Sequence, residues 1–144
     1  MFSKACEYGI RASIYIAGQS HKDKRVSLKD IAKEIGSPVA FTAKILQELS
    51  KNKIIDSVKG PSGGFQIEQK RIHKIKLSHI VLAIDGDSIY KGCGLGLKEC
   101  SEKVPCPVHN QFKAIRNNII SMLENTNLSD LSLGLKDGST FLKM

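Results

Sequence analysis

The sequence predicts a mainly α protein with one small β-hairpin, and three observations carry that prediction. Two short stretches with helical apolar spacing meet at Gly36, Ser37 and Pro38. Directly after them, β-type residues flank the run Gly60, Pro61, Ser62, Gly63, Gly64. Toward the C-terminus, Phe112, Ile115, Ile119, Met122 and Leu123 recur at spacings of three, four, three and one. Helix, helix, hairpin and long helix, in that order, describe a winged helix-turn-helix followed by a long C-terminal dimerisation helix.

Taken in order, Ser3 is placed to cap a first helix. Tyr8, Ala12, Tyr15 and Ile16 recur along it, and Gly18 is read as its end. HKDKR, 21–25, is a charged loop. Ser27 with Asp30 three residues on is a capping-box pattern, and Leu28, Ile31, Ala32 and Ile35 form the apolar stripe of a short helix that Gly36 breaks. Ser37 then offers a cap and Pro38 a first helical position. The next helix carries Ile45, Leu46 and Leu49 on one face and Lys44, Gln47, Glu48 and Lys51 on the other. The pair makes a helix-turn-helix over about 28–51.

IIDSVKGPSGGFQIE reads as strand (54–58), tight turn and strand (65–68), a wing over about 54–68. Its glycines let backbone approach a duplex closely, and Lys59 at its base is placed to neutralise a phosphate. QKRIHKIK, 69–76, adds positive charge, and 77–84 is expected to be a short helix stopped by Asp85, Gly86 and Asp87. The cysteine segment reads as loop and Pro107 as the opening of the long helix. NTNLSDLSLG reads as a short capped turn, and the tail to Met144 as loose.

Charge divides the chain. Residues 1–76 hold 15 Lys+Arg against 7 Asp+Glu, residues 77–144 hold 7 against 7, and the net +8 therefore lies wholly in the first part. A basic DNA-binding domain over 1–76 and a neutral sensor and dimerisation region over 77–144 are the expected division, with double-stranded DNA as the polyanion. Apolar content of 41% and charged content of 25% are ordinary for a globular chain. No apolar run approaches the roughly 20 residues of a membrane span. The N-terminus lacks a signal-peptide layout. The expectation is a cytoplasmic protein without membrane contact, whose thiols stay reduced unless they are ligands or redox-active. With no nucleophile–base pairing, phosphate loop or cofactor fingerprint, an enzyme is not expected.

CGLGLKECSEKVPCPVH, 93–109, holds three of the four cysteines as Cys93-x6-Cys100-x5-Cys106-x2-His109. Structural zinc sites favour paired tight knuckles, which this segment lacks. Wide spacing in a glycine-rich loop suits a larger object, and thiolates with one imidazole supply the four ligands of a 2Fe–2S cluster. Three thiolates alone could hold a 4Fe–4S cluster with a fourth ligand from elsewhere. Zinc and a regulatory disulfide remain open alternatives. Cys6, among apolar neighbours, reads as core, and His21, His73 and His79 as surface or packing residues.

The helix-turn-helix, VKGPSGGF at the wing, the cysteine triplet and the long helix together resemble the IscR/NsrR family of bacterial transcriptional regulators, from about Phe2 to Leu131. The resemblance implies a homodimer on a palindromic operator, with C-terminal helices crossing at the interface through Phe112, Ile115, Ile119, Met122 and Leu123. It implies an iron–sulfur cluster, 2Fe–2S or alternatively 4Fe–4S, whose loss, oxidation or nitrosylation alters DNA binding. Its ligands would be Cys93, Cys100, Cys106 and His109, with Glu7 resembling an alternative acidic ligand. The recognition helix would run over 38–51. The DNA-binding candidates are Ser27, Pro38, Ala40, Phe41, Ala43, Lys44, Lys59 and the tip residues Ser62, Gly63 and Gly64. Two departures stand out. The first cysteine gap is six residues where the IscR-like pattern has five. Ala43 replaces an acidic base-reading residue, and alanine cannot discriminate bases by hydrogen bond. Some relatives of this kind lack a cluster and sense through cysteine chemistry, and a cluster-bearing electron carrier is a more distant alternative.

Overall fold

A computed structural model describes residues 1–143, so Met144 lies outside the described residues. The chain forms α1 (Lys4–Ser20), α2 (Leu28–Ile35), α3 (Val39–Lys51), β1 (Asp56–Val58), β2 (Gly64–Gln66), α4 (Gln69–Ile72), α5 (Leu77–Asp85), α6 (Ser88–Lys91), α7 (His109–Asn125) and α8 (Leu128–Lys136). This is the mainly α architecture with a single hairpin that the sequence predicts. Among the described residues, no helix is long and apolar enough to cross a membrane.

Ser3 caps α1, its Oγ accepting from the Cys6 N–H at 3.0 Å. Asp85, at the end of α5, receives the Ser3 N–H at 2.9 Å and the Ser3 hydroxyl as well. The helix does not end at Gly18. It runs two residues further, because Ser20 is tied into the fold: its Oγ accepts from Ile67 N–H at 3.0 Å and its carbonyl from Gln69 Nε2 at 3.2 Å. Such tertiary bonds override the roughly 1 kcal/mol that one glycine costs a helix.

Ser27 caps α2 as its pattern predicts, accepting from Asp30 N–H at 3.1 Å. Gly36 ends it in the left-handed region, at φ +67°. Ser37, expected to cap α3, is instead spent on α2: its N–H reaches back to the Ala32 carbonyl at 3.0 Å. Pro38 consequently stands in the cap position rather than inside the helix, and its carbonyl accepts the Thr42 N–H and hydroxyl, each at 2.9 Å. Arg11 Nη1 donates to the Ile35 carbonyl at 3.1 Å, fixing the turn between the two helices to α1.

The hairpin pairs Asp56 with Gln66, Ser57 with Phe65 and Val58 with Gly64. Its strands are shorter than the 54–68 run because Ile54, Ile55 and Ile67 leave the ladder to enter the core. Val26 adds a one-residue bridge to Phe65, through bonds of 3.1 and 2.8 Å. α5 is capped in part by His79, whose Nδ1 accepts from Lys76 N–H at 3.1 Å.

NTNLSDLSLG, 125–134, read as a short capped turn, instead contains most of a complete helix that runs on to Lys136. Asn127 Oδ1 caps α8 by accepting from Asp130 N–H at 2.9 Å. A bridge of Lys76 with Asn127 seats it beside α5, and Ser132 Oγ and His21 Nε2 are hydrogen-bonded at 3.0 Å. Leu123 and Leu128 join residues from α1, α2, α3, α4 and α5 in one core cluster. α7 buries only His109 and Leu123. If α8 is core, Leu128→Ala should cost roughly 2–5 kcal/mol in urea unfolding. Leu133→Ala, on the exposed side of the same helix, should cost under about 1 kcal/mol. Equal losses would remove α8 from the core.

Candidate nucleic-acid interface and cysteine loop

α3 turns Ile45, Leu46 and Leu49 inward and leaves Pro38, Ala40, Lys44, Gln47, Glu48 and Lys51 exposed around its start and outer face. Ala43 is half-buried beside a groove between α3 and the hairpin, lined by Lys44, Gln47, Ser50, Ser57 and Phe65. Phe41, expected at the DNA face, is half-buried. Its ring packs edge-to-face on Tyr8 of α1 at 5.8 Å, and the Arg11 guanidinium covers the other partner, 4.7 Å from the Tyr8 ring. Phe41 thereby joins α3 to α1, while Ala40 and Lys44 form the open surface. The Ser27 oxygen is occupied by its cap, although the residue is exposed.

At the wing, Lys59, Pro61 and Ser62 are exposed. Gly63 and Gly64 are demanded by the hairpin itself. A Cβ on Gly63 would lie 2.1 Å from the Val58 carbonyl oxygen, and one on Gly64, at φ +139°, 2.7 Å from the Val26 oxygen. Arg25 was not singled out by sequence, where it reads as one charge in a loop. It donates through Nε to Gln66 Oε1 at 3.0 Å and through Nη1 to the Ser62 carbonyl at 3.2 Å, which places a cation against the wing tip. The adjacency of Val26, which bridges to the hairpin, is what brings Arg25 there. Not all of the 69–76 charge faces outward. Arg71 pairs with Asp56 at 3.0 Å and donates to the Lys53 carbonyl, bracing the wing's base.

The cysteine loop lies against the first two turns of α7. All three thiols are unbridged and half-buried. Cys100 Sγ lies 3.5 Å from His109 Nδ1 and receives Arg116 Nη2 at 3.1 Å. His109 is buried, and its Nε2 has no hydrogen-bond partner. Cys93 Sγ receives the Leu95 N–H at 3.4 Å. Backbone N–H groups of Leu95 and Leu97, and to a lesser degree the Cys106 side chain, hold the Cys93 thiol below its usual pKa. The donors therefore stand as two pairs, Cys93 with Cys106 and Cys100 with His109. The expected four-ligand set is not assembled: among the described residues, no three His, Cys, Asp or Glu side chains gather closely enough to hold one metal ion. Glu7 pairs instead with Lys4 on the surface of α1, at 3.2 Å. In kind, three free thiols and an imidazole with an orphaned buried nitrogen still fit an iron–sulfur donor set. Cys6 is fully buried in the core, and burial together with the Asp85 carboxylate pushes its thiol up to about 12.

The family model described as Rrf2, iron-dependent transcriptional regulator, matches residues 2–133. A protein of Aquifex aeolicus that carries the name of an HTH-type transcriptional regulator is 34% identical over 133 residues, covering 91% of this chain and 90% of its own. The HTH-type transcriptional regulator IscR of Yersinia pestis is 27% identical over 124 residues, covering 86% and 74%. Among solved structures, CymR, the global cysteine regulator of B. subtilis, is similar with a TM-score of 0.73 at 22% identity, covering 92% of this chain and 95% of that one. T. potens IscR is similar with a TM-score of 0.70 at 24% identity, covering 96% and 88%. At these identities the two structures establish the fold.

The cysteine environments predict opposite alkylation behaviour in the folded, reduced protein. A lowered pKa gives Cys93 a larger thiolate fraction near neutrality, so its alkylation should level off at lower pH than that of a model thiol. Cys6, at about 12, should label only on unfolding. Site-resolved mass spectrometry across pH reads both, and early labelling of Cys6 would contradict its placement.

Proposed function

The chain belongs to the Rrf2 family of transcriptional regulators, and on that premise we propose that it acts as a homodimer on palindromic duplex DNA and senses redox, nitric oxide or iron–sulfur status through an iron–sulfur cluster in its cysteine loop. The observation that carries the proposal is the buried His109 imidazole, set beside Cys100 with its Nε2 unpartnered. A buried nitrogen without a partner costs stability unless a ligand satisfies it.

Cys93, Cys100, Cys106 and His109 would hold the cluster. When bound, it supplies a centre whose oxidation state and ligation respond to oxidants and nitric oxide. The remaining roles fall to this chain's residues. α7 exposes Ile115 and Met122 outright, beside Phe112, which also packs on Gly94, and Ile119, which also packs on the core, an apolar face suited to a second copy. Leu123 is not available for that seam because it is fully buried in its own protomer. Two copies joined through α7 would present two α3 helices and two wings to successive half-sites. Lys44, Lys59 and Arg25 would meet phosphates, while Ala40 and Ala43 offer only apolar contact to base edges. The state of the loop would bias how the two reading heads are held, which is the required coupling between sites.

A cluster-free thiol switch is the second reading. It is favoured by the lowered pKa of Cys93 and the proximity of Cys106, a pair suited to oxidation to a disulfide. His109→Ala separates the two readings: it should leave a thiol switch working and make a cluster labile.

Anaerobic purification with a visible spectrum and iron and sulfide assays tests the sensing step. A coloured protein containing both elements supports the cluster, and a protein still colourless after reconstitution removes it. For the DNA step, Lys59→Ala should weaken binding to all duplexes alike and reduce the slope of log affinity against log salt by about 0.9. An unchanged slope would take Lys59 off the phosphate contacts.

A further inference from the structure

We infer that Arg116 is a positioning residue that fastens the cysteine loop to α7 and links the condition of Cys100 to that helix. The inference rests on the reading of residues 93–109 as the sensing segment. Arg116 Nη1 donates to the Gly92 carbonyl at 2.6 Å, and Nη2 donates to Cys100 Sγ at 3.1 Å. One planar fork thus closes the entry of the loop and its middle cysteine onto a single point of α7. A lysine cannot copy this, because its ammonium is a point charge on a flexible stem rather than a rigid pair of donors.

The neighbouring side chains make the first two turns of α7 a cradle. The Phe112 ring fills the space beside Gly94, where a Cβ would lie 2.4 Å from the ring. Lys113 pairs with Glu102, and His109 faces Cys100. Arg116 alone among these lines both hollows flanking α7, one with Cys100 and His109, the other with Cys93 and Phe112. It is also the residue that spans loop backbone and sulfur at once. A change in what Cys100 is bonded to therefore acts on a group rooted in the helix that carries the exposed apolar residues Ile115 and Met122. A cationic N–H donor on sulfur also withdraws electron density, and hydrogen bonds to sulfur help set the potential of a thiolate-held cluster.

The test compares full-length wild type with R116A, R116K and R116Q. In the reduced protein without cluster, hydrogen exchange of peptides covering 92–101 and tryptic cleavage after Lys98 report loop ordering, and the melting temperature reports the fold. Exchange and cleavage in R116A should be about tenfold faster, with peptides of α1 to α3 and the melting temperature unchanged. R116K should restore only part of the protection. After reconstitution, R116A should have a more negative midpoint potential than wild type. The inference is overturned by an unchanged loop in R116A, by full rescue with lysine, or by faster exchange throughout α1 to α3 in both R116A and R116Q. A wild type that takes up no iron while R116A still loosens the loop would sink the cluster reading and leave Arg116 in place. Identical potentials and loop ordering in a cluster-loaded R116A would do the reverse.

Discussion

α1 is enclosed by the rest of the chain, and its burial constrains everything else. α5 crosses it so closely at Gly9 that a Cβ there would stand 2.2 Å from Ile84 Cδ1, and Ser3 at its start is clamped by Asp85. α2 and α3 cover other positions, with Arg11 reaching the turn between them. α8 closes the remaining side through Leu128 and Ser132. A chain of 144 residues has enough apolar surface for one core of this size. α2 and α3 and the C-terminal helices consequently share it, and the orientation of α3 depends on residues far beyond the basic region.

The fold was legible where a local rule acts alone. Ser3, Ser27 and Gly36 do what their sequence patterns say, since a cap needs only the next few residues. The reading failed where two local rules compete or where tertiary bonds decide. Ser37 is both a plausible cap and a good end for the preceding helix, and the second use wins. Gly18 stays helical because Ser20 is bonded to the segment after the wing. α8 escaped notice because its serines and glycine lower helix propensity, while its stability comes from packing on α1. The wing glycines were correctly placed, but the structure adds a reason internal to the hairpin.

The candidate site was legible as a list of residues and illegible as an arrangement. Spacing brought out the three cysteines and His109, but which of them are neighbours depends on how α7 receives the loop. Arg116, Phe112 and Lys113 settle that; Arg116 and Lys113 carry no local signature, and the spacing of Phe112 marks it only as part of a helical stripe. Arg25 was hidden for the same reason: its partner Ser62 is distant in sequence. The two regions also differ in how they are held. α3 is set by buried apolar side chains, whereas the loop is held by an arginine fork, an exposed ion pair and one aromatic ring, a contrast that lets the loop rearrange at lower free energy than the head.

The mounting of α7 has a mechanical consequence. Leu123 and the backbone bond from Leu77 N–H to the Thr126 carbonyl, at 3.0 Å, pin its C-terminal end to the core. Its 17 residues then extend about 25 Å from that anchor. Near the far end only His109 is buried, held among the loop's own contacts. A load applied at the far end would therefore reach the anchored root as a bending moment with a long lever arm. Here the root sits beside α5, which packs directly against α1 and α3.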